Sequence, residues 1–390
     1  MIKATKQTMF LAILTVWWEA QGQFSPPFHM IIAKDGSGDF TTISEGISSA
    51  PSFSSIRFNI KLSAGIYAEN IVINKEKTNL TIIGEGMERT IITGCRSKDD
   101  GIKTFETATV GKHIKPCKMY IWLTIFKYQY MSEINGDGFV ASGITFRNTA
   151  GPEKQQAVAL LTKASHLAFY KCSIIAFQDT LYAKRGYQFF RECEIYGTVD
   201  FIFGDATAVF QSCYISARKP LAGQSNTVTA QGREVSAGQG GFVIHNCIIT
   251  ATSELIASEY PVKTYLGRPW RDFARTVVMQ SYLDNSIDPQ GWLEFDSRSS
   301  DLDLYYAEYD NRGPGSATND RVKWKGFRVI DSIEAYQFTV REFIHGDMWI
   351  PATGVPYTPD FIDWSGSLRR SFSSCKVFVL LVSILTTLPI

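Results

Sequence analysis

The chain has 390 residues, is 45% hydrophobic and 20% charged, and carries a formal net charge of +1. That is the balance of a globular protein whose core needs no cofactor to hold it together, and so small a charge supplies no overall field for nucleic acid or an anionic membrane. The 13% aromatic content, with eight Trp and seventeen Tyr, suits a large core or a sugar-stacking groove and does not separate them.

Lys3 and Lys6 precede an apolar run from Met9 to Trp18, and Ala20-Gln21-Gly22 offers small residues at a cleavage spacing. Residues 1–22 therefore read as an export signal, too short to span a bilayer. Export permits disulfides and makes Asn79, in Asn79-Leu80-Thr81, a glycosylation candidate. The segment Ile31-Ile32-Ala33-Lys34-Asp35-Gly36-Ser37-Gly38 follows almost at once, with no helical pro-region between. One domain is expected, from about residue 30 to about residue 361.

Short β-branched runs come next, at Leu80–Ile83, Thr90–Thr93 and Gly143–Phe146, each bounded by Gly or Asn. Further on, Cys172-Ser173-Ile174, Cys193-Glu194-Ile195, Cys213-Tyr214-Ile215 and Cys247-Ile248-Ile249 share a Cys-x-Ile core, with the cysteines 21, 20 and 34 residues apart. Strands at a period near twenty, with no 3.6-residue pattern between them, predict an all-β fold, a parallel β-helix. An antiparallel sandwich with chance spacing is the alternative. In a β-helix, equivalent positions stack at a rise of about 4.8 Å. Cys213 and Cys247 then fall near disulfide range on adjacent coils, with Cys172–Cys193 a second candidate. None of the seven cysteines forms a CxxC pair, so neither a zinc ribbon nor a thioredoxin-like motif is available and no metal site is expected.

Asp179 and Asp200 each lie seven residues after a ladder cysteine, Cys172 and Cys193. The same offset on consecutive coils stacks the two carboxylates on one face. Like charges that close cannot both ionise easily, so one pKa rises while the other stays low, which gives an acid and a nucleophile from one residue type. Gln156 lies 23 residues before Asp179, roughly one more coil, and Gln178 adjoins it. Two amides there can donate to a developing oxyanion. Taken singly, each residue reads as a turn or strand cap; the aligned set does not.

Five blocks, Gly65-Ile66-Tyr67-Ala68-Glu69, Gln156-Ala157-Val158-Ala159-Leu160, Gln178-Asp179-Thr180-Leu181, Asp200-Phe201-Ile202-Phe203-Gly204 and Leu266-Gly267-Arg268-Pro269-Trp270, resemble the signature blocks of plant pectin methylesterases in order and spacing. The likeness runs from Ile32 to Trp349-Ile350-Pro351-Ala352-Thr353-Gly354-Val355-Pro356 and suits the form without an inhibitor-like pro-region. It implies a single-stranded right-handed parallel β-helix that removes methyl esters from C6 of galacturonate in pectin. By the resemblance, Asp200 is the nucleophile, Asp179 the acid and then the base, and Gln156 and Gln178 the oxyanion donors. Arg268 would hold Asp200 ionised, and Trp270 and Trp292 would line the sugar groove. Pectin is the implied partner, with proteinaceous inhibitors as possible others; a monomer, no cofactor and an extracellular, cell-wall location complete the expectation. Asp205 stands where Asn is frequent in the family, so its extra carboxylate is expected to shift the pH optimum.

The sequence departs from the family at two places. Residues 111–134 interrupt a passage that the family reads from Ala108-Thr109-Val110 into Asn135-Gly136-Asp137-Gly138-Phe139. This insertion carries Trp122, Phe126, Tyr128 and Tyr130, and reads as a retained intron, a substrate loop or a membrane-touching flap, expected to be disordered or to bulge outward and leave the coils intact. Residues 362–390 form a tail whose small residues, polar spacer and apolar end Val377–Ile390 match either a lipid-anchor signal or an adventitious extension. Among other functions, a Ser-His-Asp hydrolase lacks its G-x-S-x-G, and a pectate lyase lacks its acidic calcium cluster. A polygalacturonase-like glycosidase with paired carboxylates and an inactive wall-binding relative stay open.

Overall fold

A computed structural model describes residues 26–101, 104, 134–295 and 303–363. The expected export signal, residues 111–133 of the insertion and the tail beyond residue 363 lie outside the described residues. Three parallel sheets wind round a shared interior, of eleven, eight and five strands among the described residues. Most coils contribute one strand to the first sheet and one to the second. The middle coils add one to the third, as in Leu167–Tyr170, Ser173–Ile175 and Leu181–Ala183. Neighbours in every sheet come from successive coils, never from a hairpin. The fold is therefore the expected parallel β-helix. The pairings of Leu80–Gly84 with Val140–Ser142 and of Thr90–Gly94 with Thr145–Asn148 run unbroken across the insertion. Its last residue, Ile134, is fully buried in the core.

The period near twenty has a local cause. At the corner between the first and second sheets one residue per coil adopts the left-handed conformation: Lys171, Glu192, Ser212, Asn246, Gln280 and Asp310, with φ between 48° and 56°. A non-glycine residue there costs roughly 1 kcal/mol or more, which burial of the following position offsets. That position is Cys172, Cys193, Cys213 or Cys247, each at most 2% exposed, and the ladder continues as Ser281, whose hydroxyl accepts from Cys247 N at 3.0 Å. Two residues after each cysteine, Ile174, Ile195, Ile215 and Ile249 are wholly buried. Phe169, Phe190 and Phe210 stack beside them, with ring centroids 4.8 and 4.7 Å apart.

The proposed cysteine bridges do not form. Cys172, Cys193, Cys213 and Cys247 are all free thiols, and Cys95 is the described cysteine that is disulfide-bonded. Stacked residues share a side-chain direction, so their Cβ atoms stay about one rung apart, beyond the 3.5–4.5 Å a disulfide requires. Each thiol instead points at the main chain; Cys213 Sγ donates to Phe190 O at 3.4 Å and Cys247 Sγ to Phe210 O at 3.3 Å.

The N-terminal end and one flank are covered. Helix Ile43–Ser49 closes the N-terminal end, with Thr42 as its N-cap, and Glu69 of the first signature block accepts from Ile43 N at 2.9 Å and Ser44 N at 3.0 Å. Glu69 is therefore a helix cap. The segment after residue 330 packs Phe338, Val340, Ile344, Trp349 and Ile350 on Ala168, Phe189, Val209, Val243 and Val277 of the first sheet's outer face. Gln211 and Gln280 hold its end, pairing with Thr358 and Ile362 through both amide groups at 2.8–3.1 Å. Buried His245 lies between these amides. Asn79 lies at a left-handed corner (φ 52°) with its amide nitrogen donating to Ser54 O at 2.9 Å. Thr81 is fully buried, so the sequon is a structural corner and not an open loop.

Candidate active site

The third sheet sets the register of the site. Leu181 pairs with Leu160 and Ile202, and Ile202 with Thr229. Two residues earlier on each rung, at the corner leading into this sheet, stand Val158, Asp179, Asp200 and Thr227. Asp179 (φ 63°) and Asp200 (φ 53°) are both left-handed, a conformation Asp tolerates better than most residues. Residues at alternate positions face outward, so Leu161, Tyr182, Phe203 and Ala230 form an apolar floor beside the carboxylates. Tyr182 stacks on Phe203 at 4.2 Å, and Trp270 meets Phe203 edge-on at 6.0 Å.

Gln156, Gln178, Asp179, Asp200, Arg268 and Trp270 line one cleft of about 190 Å³, together with Phe203, Ala230 and Phe295. Arg268 grips Asp200 with two parallel bonds, Nε to Oδ1 and Nη2 to Oδ2, both 2.7 Å. Thr227 Oγ1 donates to Asp200 Oδ1 at 2.7 Å and accepts from Asp200 N at 2.7 Å. Asp179 has no such arginine. Burial first, then the charge of Asp200, pushes its carboxyl well above the usual carboxylate range, with Arg268 and Lys98 in partial opposition. Gln156 and Gln178 are tied rung to rung, Ala157 N donating to Gln178 O at 3.2 Å. The set can hold an ionised nucleophile, a protonated acid and amide donors round one reacting carbon.

The pectinesterase family model matches residues 29–118 and 117–347. The chain belongs to the pectinesterase family. It is 46% identical over 329 residues to a probable pectinesterase/pectinesterase inhibitor of Arabidopsis thaliana, covering 84% of this chain and 54% of that one. It is 47% identical over 330 residues to a pectinesterase/pectinesterase inhibitor of Ficus pumila var. awkeotsang, covering 84% and 56%. The chain thus spans about half the length of the curated relatives it matches. Pectin methylesterase from carrot superposes with a TM-score of 0.79 at 44% identity, over 87% of this chain and all of that one. The enzyme from Aspergillus niger gives 0.68 at 30% identity, over 84% and 96%.

One expected groove residue is elsewhere. Trp292 is 1% exposed, edge-on to Tyr306 at 4.7 Å, with its indole N–H donating to Glu308 Oε1 at 3.3 Å. Arg321 pairs with the same buried carboxylate at 2.7 Å. Trp292 bridges to Gly267, beside Arg268, so it supports the site from inside. The rim position belongs to Phe295, whose ring lies 4.7 Å from the Arg268 guanidinium. Sequence reasoning missed both Phe295 and Thr227. An aromatic three residues past Trp292 was visible; Thr227 sits behind a long corner that hides its register. Asp205 does not line the cleft. It is exposed at the far end of the same strand, and its carboxyl is raised to about 6, by desolvation first and by the charge of Glu234.

Proposed function

We propose that residues 30–361 form a catalytic unit that hydrolyses methyl esters at C6 of galacturonate in pectin, releasing methanol and leaving pectate. The observation that carries this reading is the asymmetry of the stacked pair, with Asp200 held in an arginine fork and Asp179 kept toward its neutral form. Asp200 Oδ1 already accepts from two donors and Oδ2 from one, so Oδ2 is the freer nucleophile. It would attack the ester carbonyl carbon while Gln156 and Gln178 receive the developing oxyanion. Collapse of the tetrahedral species would expel the methoxy oxygen, to which Asp179 gives its proton, leaving an acyl-aspartyl anhydride. The resulting Asp179 carboxylate would take a proton from water, whose oxygen attacks the same carbon and frees Asp200. Every step uses this chain's own side chains.

The reading includes export to the cell wall and action as a monomer, with proteinaceous pectinesterase inhibitors as macromolecular partners. The names of the relatives, which join pectinesterase to pectinesterase inhibitor, support the last point. No helix among the described residues is long and apolar enough to cross a membrane. The test is methanol release from methylated pectin by the purified chain, beside an Asp200→Asn control. Release by the unmodified chain alone supports the esterase. New reducing ends without methanol would identify a glycosidase, and pectin binding without either product a wall-binding relative.

A further inference from the structure

Val158, Asp179, Asp200 and Thr227 hold the same position on four successive coils, a register fixed by the pairings of the third sheet. What each acid can do depends on the residue stacked on it from the next coil. For Asp179 that residue is Asp200, and the Asp179 N–H goes to the main chain, to Val199 O at 3.0 Å. For Asp200 it is Thr227. Thr227 is wholly buried, does not line the cleft, and holds the Asp200 corner at four points. Its N–H donates to Thr198 O and its carbonyl accepts from Phe201 N, both at 3.2 Å. Its hydroxyl accepts from Asp200 N and donates to Asp200 Oδ1, both at 2.7 Å. A hydroxyl has a single proton. With the Asp200 N–H directed at the hydroxyl oxygen, that proton is left to point at Oδ1. The Asp200 main chain thus orients the hydroxyl that orients the Asp200 carboxylate.

We infer that Thr227 is a positioning residue that selects which oxygen of Asp200 attacks. This rests on the esterase reading above and deepens it by naming the group that keeps one oxygen occupied. Oδ1 accepts from Thr227 Oγ1 and Arg268 Nε, whereas Oδ2 accepts from Arg268 Nη2 alone. Without the hydroxyl, the carboxylate is held by the arginine fork only and can tilt within the plane of that fork. β-Branching leaves Thr227 few rotamers, so its proton is set before any substrate arrives. In the acyl transfer, Oδ2 supplies the electron pair of the new C–O bond and the methoxy group leaves with the proton of Asp179. Oδ1 then becomes the carbonyl oxygen of the anhydride. When water breaks that anhydride, the electron pair returns to the Asp200 carboxylate, with the Thr227 hydroxyl already on Oδ1.

The experiment compares wild type, Thr227→Val and Thr227→Ser, each well below its own Tm, by two readouts. The first is kcat and KM for methanol release from methylated pectin. The second is the rate at which a small epoxide alkylates Asp200, followed by peptide mass. Valine keeps the shape and removes the hydroxyl. Thr227→Val should lower kcat on the order of tenfold, the scale of one hydrogen bond to a charged group, with KM unchanged because the residue lies outside the cleft. Thr227→Ser should recover most of the loss. Alkylation should be faster in Thr227→Val, whose carboxylate has one donor fewer, and should return to the wild-type rate in Thr227→Ser. An unchanged kcat in Thr227→Val overturns the inference, as does a lower kcat with alkylation equal or slower, since a merely structural loss impairs both. If wild type releases no methanol, the esterase reading fails, and alkylation alone decides the hold of Thr227 on Asp200: faster in Thr227→Val supports it, equal or slower overturns it.

Discussion

Arg268 and Asp200 share a plane: two parallel bonds of 2.7 Å join the guanidinium fork to both carboxylate oxygens. Lysine keeps the charge but offers a single point donor. Arg268→Lys should therefore lower kcat/KM on methylated pectin on the order of tenfold to a hundredfold, the worth of one charge-assisted bond. An unimpaired Arg268→Lys variant would show that charge alone suffices.

Asp179 and Asp200 should fail differently. Asp200→Asn removes the attacking carboxylate and should abolish methanol release. Asp179→Asn should cost on the order of 10²–10⁴-fold, the usual worth of acid–base catalysis, and less for esters with better leaving groups. The sign for stability is opposite. Because burial and then Asp200 raise the folded-state pKa of Asp179, the folded chain binds that proton more tightly than the unfolded one. Asp179 therefore loses stability as pH rises from the unfolded carboxylate value through the folded one. Asp179→Asn, always neutral, should unfold at a higher temperature than wild type at pH 7. A lower Tm at that pH contradicts the assigned electrostatics.

His245 should govern acid stability. Burial lowers its pKa to about 4 against the hydrogen bond to Gln280, which raises it, and the neutral ring donates to Gln280 and accepts from Gln211. The unfolded imidazole protonates near 6.5 and the folded one near 4, so stability present above 6.5 is lost as pH falls through this window, by about 3 kcal/mol at most. Thermal unfolding of His245→Gln between pH 6.5 and 4 should show a flatter slope than wild type. Identical slopes would place the acid sensitivity elsewhere.

Trp292 and Phe295 separate support from contact. Trp292→Ala empties a buried site and should cost about 3–5 kcal/mol of stability. Phe295→Ala, at a residue 39% exposed on the cleft rim, should leave Tm nearly unchanged and raise KM a few-fold. Similar Tm losses in both variants would mean that Phe295 is structural.

The four ladder thiols should be free in solution. Peptide mapping without reductant, after unfolding in alkylating agent, should find Cys172, Cys193, Cys213 and Cys247 all modified, and almost none modified in the native protein. A recovered Cys213–Cys247 crosslink would contradict the ladder of free thiols.

Much of the fold was legible because each coil repeats one expensive feature. A left-handed corner followed by a small buried residue leaves a mark every twenty or so positions, and the equal offsets of Asp179 and Asp200 from that mark place the acids before any coordinates are known. Direction within a rung was not legible. Cys213 and Cys247 occupy equivalent places, yet parallel side-chain vectors keep their sulfurs unbonded. Trp292 and Phe295 lie in an irregular stretch where alternation gives no inside or outside. Thr227 was hidden because the corner from Arg218 to Ser225 breaks the period, although the rung resumes in register at Asn226–Gln231.

That tolerance at the corners divides the chain into places where length is free and places where it is not. Extra residues between Val110 and Asn135, or between Ala217 and Asn226, leave the order of the rungs untouched, so the spacing of the acids survives them. A single residue gained or lost inside Leu181–Ala183 or Ile202–Gly204 would instead turn Tyr182 or Phe203 into the interior and strip the apolar floor beside the acids. The machinery is in that sense addressed by coil number and not by distance along the chain, and change can accumulate at its margins while the address stays the same.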